Sequence, residues 1–453
     1  LAGSFIETGA FSASHGAASR LPLNLVTSAS RRKMGNPVNA TSITAITGCR
    51  MTKSSHLIPV LNLGEQCLTG VFPKTRMQRV TKGPLELVWC PDSGLLQLRH
   101  SYSVSEMYGD NYGYRSGLNS SMVSHLTSKV TGLMRRYPLH AGDCVLDIGS
   151  NDGTLLNSYS AAGLLRFGMD PTADKFRNFY DPDITVYADF FSADYFLEAT
   201  GGRRAKVVTS IAMFYDLEDP SAFVQDIKRV LALDGIWHFE QSYMPSMLRT
   251  TSYDTVCHEH LEYYSLSVID HLLRINDMRI LDVQMNSVNG GSVAVTACHK
   301  DAPHKTAQPL IEWMLRQENR WELGSPKPYR EFEDRVFKHR EDLQNLIDVL
   351  VSSGKTVLGY GASTKGNVLL QFCQFSESQI SAIADVNPEK VGCYTPGTLI
   401  PIISEAEARA RRPDYFLVLP WHFKPMIVHK EREFLAAGGK LIFPLPEIEI
   451  VGE

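Results

Sequence analysis

Twice in this chain a hydrophobic, strand-like run ends on glycines and opens into a helical pattern, at "VLDIGSNDGTLL" (145–156) and at "VLGYGASTKGN" (357–367). A strand turning tightly into a helix is the first half of a βαβ unit, and successive βαβ units build a parallel sheet with helices on both faces. The text after each turn keeps that alternation. The first is followed by "RFGMDP", "KVVTSI", "IWHFEQS" and "SVAVTACH", with a helical pattern over 219–233; the second by "ISAIADVNP", "YFLVLPW" and "KLIFPLP". The expected class is α/β: a Rossmann-like core, a small N-terminal β-rich module and a second, C-terminal Rossmann-like α/β domain.

The 453 residues suffice for two to three domains. Residues 41–110 form the module, with short β-type runs "LIPVLNLG" (57–64) and "LELVWC" (85–90) bounded by Gly and Pro. Residues 111–305 hold the first α/β domain, entered through a helical pattern near 120–136; 306–352 read as a charged amphipathic connector, and 353–453 as the second α/β domain. Residues 1–40 stand apart. Up to Lys33 the segment is Ser/Ala-rich, with Glu7 as its only acid and Arg20, Arg31 and Arg32 among its bases. A disordered extension ahead of a start at Met34 is expected, in preference to an organelle transit peptide.

Forty-five Lys and Arg against 49 Asp and Glu leave a net charge of −4, with no electrostatic case for nucleic acid or an anionic membrane. No run approaches the length of a membrane span. Eight cysteines lie scattered without a C-x-x-C pair, as in a reducing, cytoplasmic compartment. The expected partner is a small molecule, and three domains in one chain allow a monomer.

The first glycine turn carries Asp147, Gly149, Asn151, Asp152 and Gly153 in a D-x-G-x-N-x-G spacing, unlike the G-x-G-x-x-G of pyrophosphate sites. Asp170 follows Gly149 by 21 residues at the end of the next strand, where a carboxylate can accept both ribose hydroxyls. Asp189, with Phe190 beside it, follows the next run. One acid per strand end suits S-adenosyl-L-methionine, whose sulfonium brings no phosphate for such acids to repel. A bare structural turn with helix-capping acids is the plainer alternative.

"SYDTVCHEHLEYYSL" (252–266) gathers His258, Glu259, His260 and the tyrosines Tyr253, Tyr263 and Tyr264 after the fourth strand, where ligands of such sheets collect. A histidine near neutrality is a natural base for a proton beside a ketone, and an adjacent glutamate can orient it. Spacing does not choose between His258 and His260. Two other readings stand beside this one: a metal held by H-x-H with Glu262, or polar caps for a helix starting near Leu261.

Taken in order, "LNLGEQCLTGVFP" (61–73), "YGYRS" (112–116), "DIGSNDG", "HEHLEYYSL", "NGGS" (289–292) and "GYGASTKGN" (359–367) resemble the three-domain sugar C-methyltransferases of the NDP-hexose 3-C-methyltransferase type, from about Cys49 onward. The resemblance implies a 4-keto-6-deoxysugar nucleotide deprotonated at C3 and methylated from S-adenosylmethionine. It implies His260 as the base with Glu259 beside it, and Tyr112 or Tyr114 positioning the sugar. Two positions depart from the family: Cys257 stands where relatives carry tyrosine, and "CRMT" (49–52) and "CPDS" (90–93) place Thr52 and Ser93 where the family's zinc site has cysteines. Structural zinc is therefore not expected, and the two-cysteine remnant leaves the module to its apolar strands; Cys257 is expected to be a buried, inert thiol.

The second turn sets Ser363, Lys365 and Asn367 at a helix start, a plausible seat for the diphosphate of a nucleotide sugar, with Tyr263 added from the first domain. Asp385, 24 residues after Gly361, keeps an alternative open: an NAD-dependent nucleotide-sugar oxidoreductase. A catalytically inactive nucleotide-sugar-binding protein is the other alternative. "LPWHF" (419–423) can add Trp421 and His422 to the cleft.

Overall fold

A computed structural model describes residues 43–102, 107 and 114–452; the extension expected over 1–40 and Tyr112 lie outside these. The N-terminal sheet has strands β1 (Ile58–Cys67), β2 (Lys82–Trp89) and β3 (Leu96–Leu98), all antiparallel. Its fourth strand comes from far along the chain: Glu262–Tyr263 pairs with Gln97 and Leu96. The H-E-H segment thus leaves the first α/β unit and completes the sheet of the module.

Helix α1 (Ser120–Arg136) leads into a seven-stranded sheet. Its strands are β4 (Cys144–Ile148), β5 (Leu165–Met169), β6 (Thr185–Tyr187), β7 (Ala205–Ile211), β8 (Leu231–Ser242), β9 (Met278–Asn286) and β10 (Ser292–His299), in the order β9-β10-β8-β7-β4-β5-β6. The five strands β4 to β8 are mutually parallel, while β10 runs antiparallel to both neighbours. Parallel strands buried on both faces explain why "CVLDI" is apolar without alternation. The helical pattern read over 219–233 is shorter in the structure: the helix spans Pro220–Val230, and the chain enters β8 at Leu231.

The charged connector is two helices, Gln308–Arg320 and α2 (Lys327–Ser352). It does more than space the units, because Tyr329, Phe332, Val336, Leu343 and Ile347 bury one face of α2 in the core shared with the N-terminal and C-terminal sheets. Trp89 stacks on Tyr329 with ring centroids 5.0 Å apart. The C-terminal sheet contains β11 (Val357–Tyr360), followed by helix α3 (Thr364–Phe372), then β12 (Ile383–Asp385), β13 (Ile402–Ser404), β14 (Tyr415–Val418), β15 (Lys440–Phe443) and β16 (Glu449–Val451). Its order is β13-β12-β11-β14-β15-β16, parallel but for β16. The mixed α/β class with two parallel sheets is as expected. Among the described residues no helix is long and apolar enough to cross a membrane.

Candidate active site

The first glycine turn is built for close approach. Gly149, Asn151 and Gly153 have φ of +73°, +51° and +77°, and a Cβ at Gly153 would lie 2.6 Å from the Tyr180 ring, so the position admits only glycine. Tyr180 pins the turn, its hydroxyl donating to the Asn151 carbonyl at 2.7 Å. Parallel register sets Thr209 beside Asp147, and the Thr209 hydroxyl donates to Asp147 Oδ1 at 2.6 Å. Burial pushes the Asp147 carboxyl up to about 7, against the pull of that hydrogen bond.

Asp170 accepts from the Asn151 amide (2.9 Å) and from the amide and hydroxyl of Thr172 (both 2.6 Å). Three of a carboxylate's roughly four acceptor sites are thus engaged within the chain, one of them by the rotatable Thr172 hydroxyl. Asn151 and Asp152 look outward, to the segment ahead of α1. Asn151 Oδ1 accepts from the Ser116 amide, its Nδ2 donates to the Tyr114 carbonyl, and Asp152 Oδ2 accepts from the Gly117 amide. They anchor the stretch that carries Tyr114, whose ring is half exposed beside the turn. Asp189 and Phe190 are both exposed on the β6 side. A glycine cradle with acids at successive strand ends and an open aromatic ring could hold S-adenosylmethionine, through Asp170 and Asp189 on the ribose side and Phe190 on the adenine side, while Arg115 Nε stands 3.6 Å from Asp152 Oδ2 at the edge of the turn.

The H-E-H run sits where all three sheets meet. His258 is fully buried against the module, its ring edge-on to Tyr102 at 4.6 Å and its Nε2 3.5 Å from the Gly83 carbonyl. Glu259 reaches the module's other loop, accepting from the Thr69 hydroxyl at 3.5 Å, and burial raises its carboxyl above the usual range. His260 turns the other way, with its ring 4.3 Å from that of Tyr215 at the end of β7 and its Nδ1 2.9 Å from the Thr255 carbonyl. A carbonyl only accepts, so Nδ1 carries the proton and Nε2 is the basic nitrogen. Burial, aided by the Lys365 charge, takes the His260 imidazole down to about 4.

His260 lines a small cavity with Tyr215, Ser242, Met244, Met247, Thr255, Glu262 and Tyr263. The Tyr263 hydroxyl donates to the Thr255 carbonyl at 3.4 Å. Glu262 is buried, and among the described residues its carboxylate oxygens make no hydrogen bond. No three His, Cys, Asp or Glu among the described residues converge as metal ligands. The next helix starts at Leu266, capped by Ser265, and not near Leu261. Cys257 is 1% exposed, and burial pushes its thiol well above the ordinary range.

The second turn contributes through α3. Ser363 caps that helix, accepting from the Gly366 amide at 3.0 Å. Asn367 Nδ2 donates to the Thr69 carbonyl at 2.7 Å, so it fastens the C-terminal unit to the module. Lys365 Nζ donates to the Asn289 carbonyl at 2.9 Å, and its charge acts on both Asp254 and His260. Asp385, at the ribose position of a dinucleotide fold, accepts from the Ala362 and Asn387 amides at 2.7 Å each, and Lys390 Nζ donates to the Ala362 carbonyl over the same turn. Sequence reasoning passed over Asp254, although it lies in the quoted run: it is 1% exposed and accepts from Trp421 Nε1 at 2.8 Å. Tyr215 carried no pattern that could have signalled it.

The residues at the family's zinc positions converge, but as two thiol–hydroxyl pairs. Cys49 Sγ lies 3.2 Å from Ser93 Oγ, and Cys90 Sγ 4.0 Å from Thr52 Oγ1. Neutral hydroxyls do not complete a tetrahedral zinc site, so these residues do not fit the metal. Arg50 cements the module instead, its amide donating to Gln97 Oε1 at 3.0 Å and its side chain to Ser101 and to Glu218 beyond β7.

Three family models match the chain: "Putative zinc binding domain" over 49–108, "Methyltransferase domain" over 122–283 and "C-methyltransferase C-terminal domain" over 287–446. The C-methyltransferase NovU of Streptomyces niveus is 32% identical over 406 residues, covering 89% of this chain and 96% of the relative. Among solved structures, the magnesium protoporphyrin IX methyltransferase of Synechocystis PCC 6803 with bound SAM is 17% identical, at a TM-score of 0.29 over 39% of this chain and 79% of its own. The mitomycin 7-O-methyltransferase MmcR is 13% identical, at a TM-score of 0.32 over 40% and 55%.

Proposed function

The chain belongs to the C-methyltransferase family, and on that premise we propose that it methylates C3 of a nucleotide-linked 4-keto-6-deoxyhexose from S-adenosylmethionine, with His260 as the base. S-adenosylmethionine supplies a methyl group on a sulfonium, already electrophilic enough for a carbon nucleophile. The glycine turn at 149–153 with Asp170, Asp189 and Phe190 holds it. Tyr114 approaches from the segment fastened by Asn151 and Asp152, and Tyr263 borders the cavity beside His260.

The observation that carries this reading is the hydrogen bond from His260 Nδ1 to the Thr255 carbonyl. It fixes the tautomer and leaves Nε2 as an uncharged base; the depressed pKa keeps it so at neutral pH. Glu259 and His258 act from behind, seating the loop on the module through Thr69 and Gly83.

His260→Ala should lower C3 deuterium exchange and methyl transfer by about 10²–10⁴-fold with dTDP-4-keto-6-deoxyglucose as acceptor, and leave calorimetric S-adenosylmethionine affinity within threefold. Loss of cofactor binding in step with turnover would make the ring a structural element and end the proposal.

A further inference from the structure

Lys365 belongs to the C-terminal sheet's first helix, yet its hydrogen bond goes to the 288–291 loop that leads into β10. Four short segments meet around it. Lys365 Nζ donates to the Asn289 carbonyl at 2.9 Å, in a loop where Asn289, Gly290 and Gly291 all have positive φ (+55°, +90°, +123°). Gly290 abuts Trp421, since a Cβ there would be 3.2 Å from the indole. Trp421 Nε1 donates to Asp254 Oδ2 at 2.8 Å, and the next residue, Thr255, holds His260 through its carbonyl. On the other side Thr364 and Glu259 face each other across Gly70, where a Cβ would be 2.7 Å from Glu259 Oε1 and 3.8 Å from Thr364 Oγ1. Helix α3 therefore brings Thr364 toward Glu259, and seats Lys365 on the 289–291 loop that packs against Trp421 and, through it, Asp254.

The electrostatics agree with this placement. Burial lowers the Lys365 ammonium from its ordinary value while Asp254 opposes that shift, and the Lys365 charge helps lower both His260 and His422. Asp254 Oδ1 is buried and without a hydrogen-bond partner, so Asp254 balances charge while leaving the ammonium's remaining donors uncommitted.

We infer that Lys365 is the electrophilic catalyst of the reaction, an ammonium delivered by the C-terminal unit to the carbonyl oxygen of the acceptor as His260 removes the neighbouring proton. The inference rests on the acceptor and base proposed above, and it shifts Lys365 from the diphosphate to the reacting carbonyl. His260 Nε2 takes the hydrogen as a proton, the C–H pair becomes the C=C bond, and the carbonyl π pair moves to oxygen, where Lys365 donates. The enolate carbon then bonds to the methyl as the S–C bond breaks, the carbonyl re-forms, S-adenosylhomocysteine leaves, and His260 returns its proton to solvent. An ammonium in a water-poor site stabilises that oxyanion where the ketone needs far less.

The test compares wild type, Lys365→Met and Lys365→Arg as full chains, with dTDP-4-keto-6-deoxyglucose as acceptor. Lys365→Met should lose about 10²–10³-fold in kcat and in C3 deuterium exchange, with KM and S-adenosylmethionine affinity within threefold, and Lys365→Arg should recover part of the exchange. A raised KM at unchanged kcat would make Lys365 a plain binding contact and overturn the inference. If wild type turns over no such acceptor, the acceptor reading fails separately, and the juxtaposition is judged without substrate: in ¹³C-histidine-labelled protein, with His260→Ala for assignment, Lys365→Met must raise the His260 titration midpoint, and an unmoved midpoint overturns the inference.

Discussion

Replacing both Thr52 and Ser93 by cysteine is expected to build a zinc site into the N-terminal module. Four thiolates about 2.3 Å from a tetrahedral zinc stand about 3.8 Å from one another. The existing pairs bracket that spacing, at 3.2 Å for Cys49 with position 93 and 4.0 Å for Cys90 with position 52. Both turns are held by backbone hydrogen bonds of 2.8 Å, Lys53 N to Cys49 O and Gly94 N to Cys90 O, which the substitutions leave intact. Burial works against ionising Cys49, and of the hydrogen bonds that hold its thiol below the ordinary value the substitutions remove the Ser93 and Thr52 hydroxyls while leaving the Thr52 backbone and the Gln97 side chain. The double variant gives up two hydroxyl–thiol contacts worth roughly 1 kcal/mol each. Zinc at a hundredfold excess over Kd returns about 2.7 kcal/mol, and each further decade about 1.4. Thr52→Cys/Ser93→Cys should therefore retain one zinc per chain on dialysis and melt higher with zinc than with chelator, while the melting of wild type ignores both. Zinc well below one per chain in the variant, or stoichiometric zinc in chelator-dialysed wild type, would refute the geometric argument.

The acidic limb of C3 proton exchange should fall near pH 4 instead of near 6.5, because burial and Lys365 lower the folded-state pKa of His260 to about 4; a limb at 6.5 in the pH–rate profile would show the ring to be solvated. His258 is lowered to about 4 by burial as well. The unfolded chain therefore binds more protons than the folded one between pH 6.5 and 4, and stability is full above 6.5 and drains as pH falls through that window; His258→Gln should flatten that loss in denaturant titrations. Asn367→Ala removes the donor to the buried Thr69 carbonyl and should cost about 1–3 kcal/mol; a change below about 0.5 kcal/mol would show that this contact does not hold helix α3 against the module.

Both parallel sheets were legible because buried parallel strands must be apolar and their turns must carry glycine: "CVLDIG" and "VLGYG" announce β4 and β11 directly. The antiparallel course of β10 was not, since "SVAVTACH" reads the same whichever way its neighbours run. The apolar face of 327–352 was legible in its helical period, but not its role beyond a spacer, because nothing local says that this face packs into a core shared by two sheets.

At the candidate site the residue types were written in the chain, and their roles were not. Asp147, Gly149, Gly153 and the H-E-H triplet follow from local pattern, as a strand end, a tight turn and a cluster of titratable groups. Sequence spacing leaves His258 and His260 equivalent. The fold separates them by pairing Glu262–Tyr263 with the module, which buries the first ring beside Tyr102 and turns the second toward Tyr215 and the cavity. Likewise "STKGN" predicts a helix start but not what it faces. Lys365 meets Asn289, and Asn367 meets Thr69, only because residues separated by 76 and 298 positions are brought together when the three sheets pack. Local backbone chemistry determines the turns and strands; the direction in which a side chain points within a shared core is settled by long-range packing, which no stretch of this sequence encodes alone.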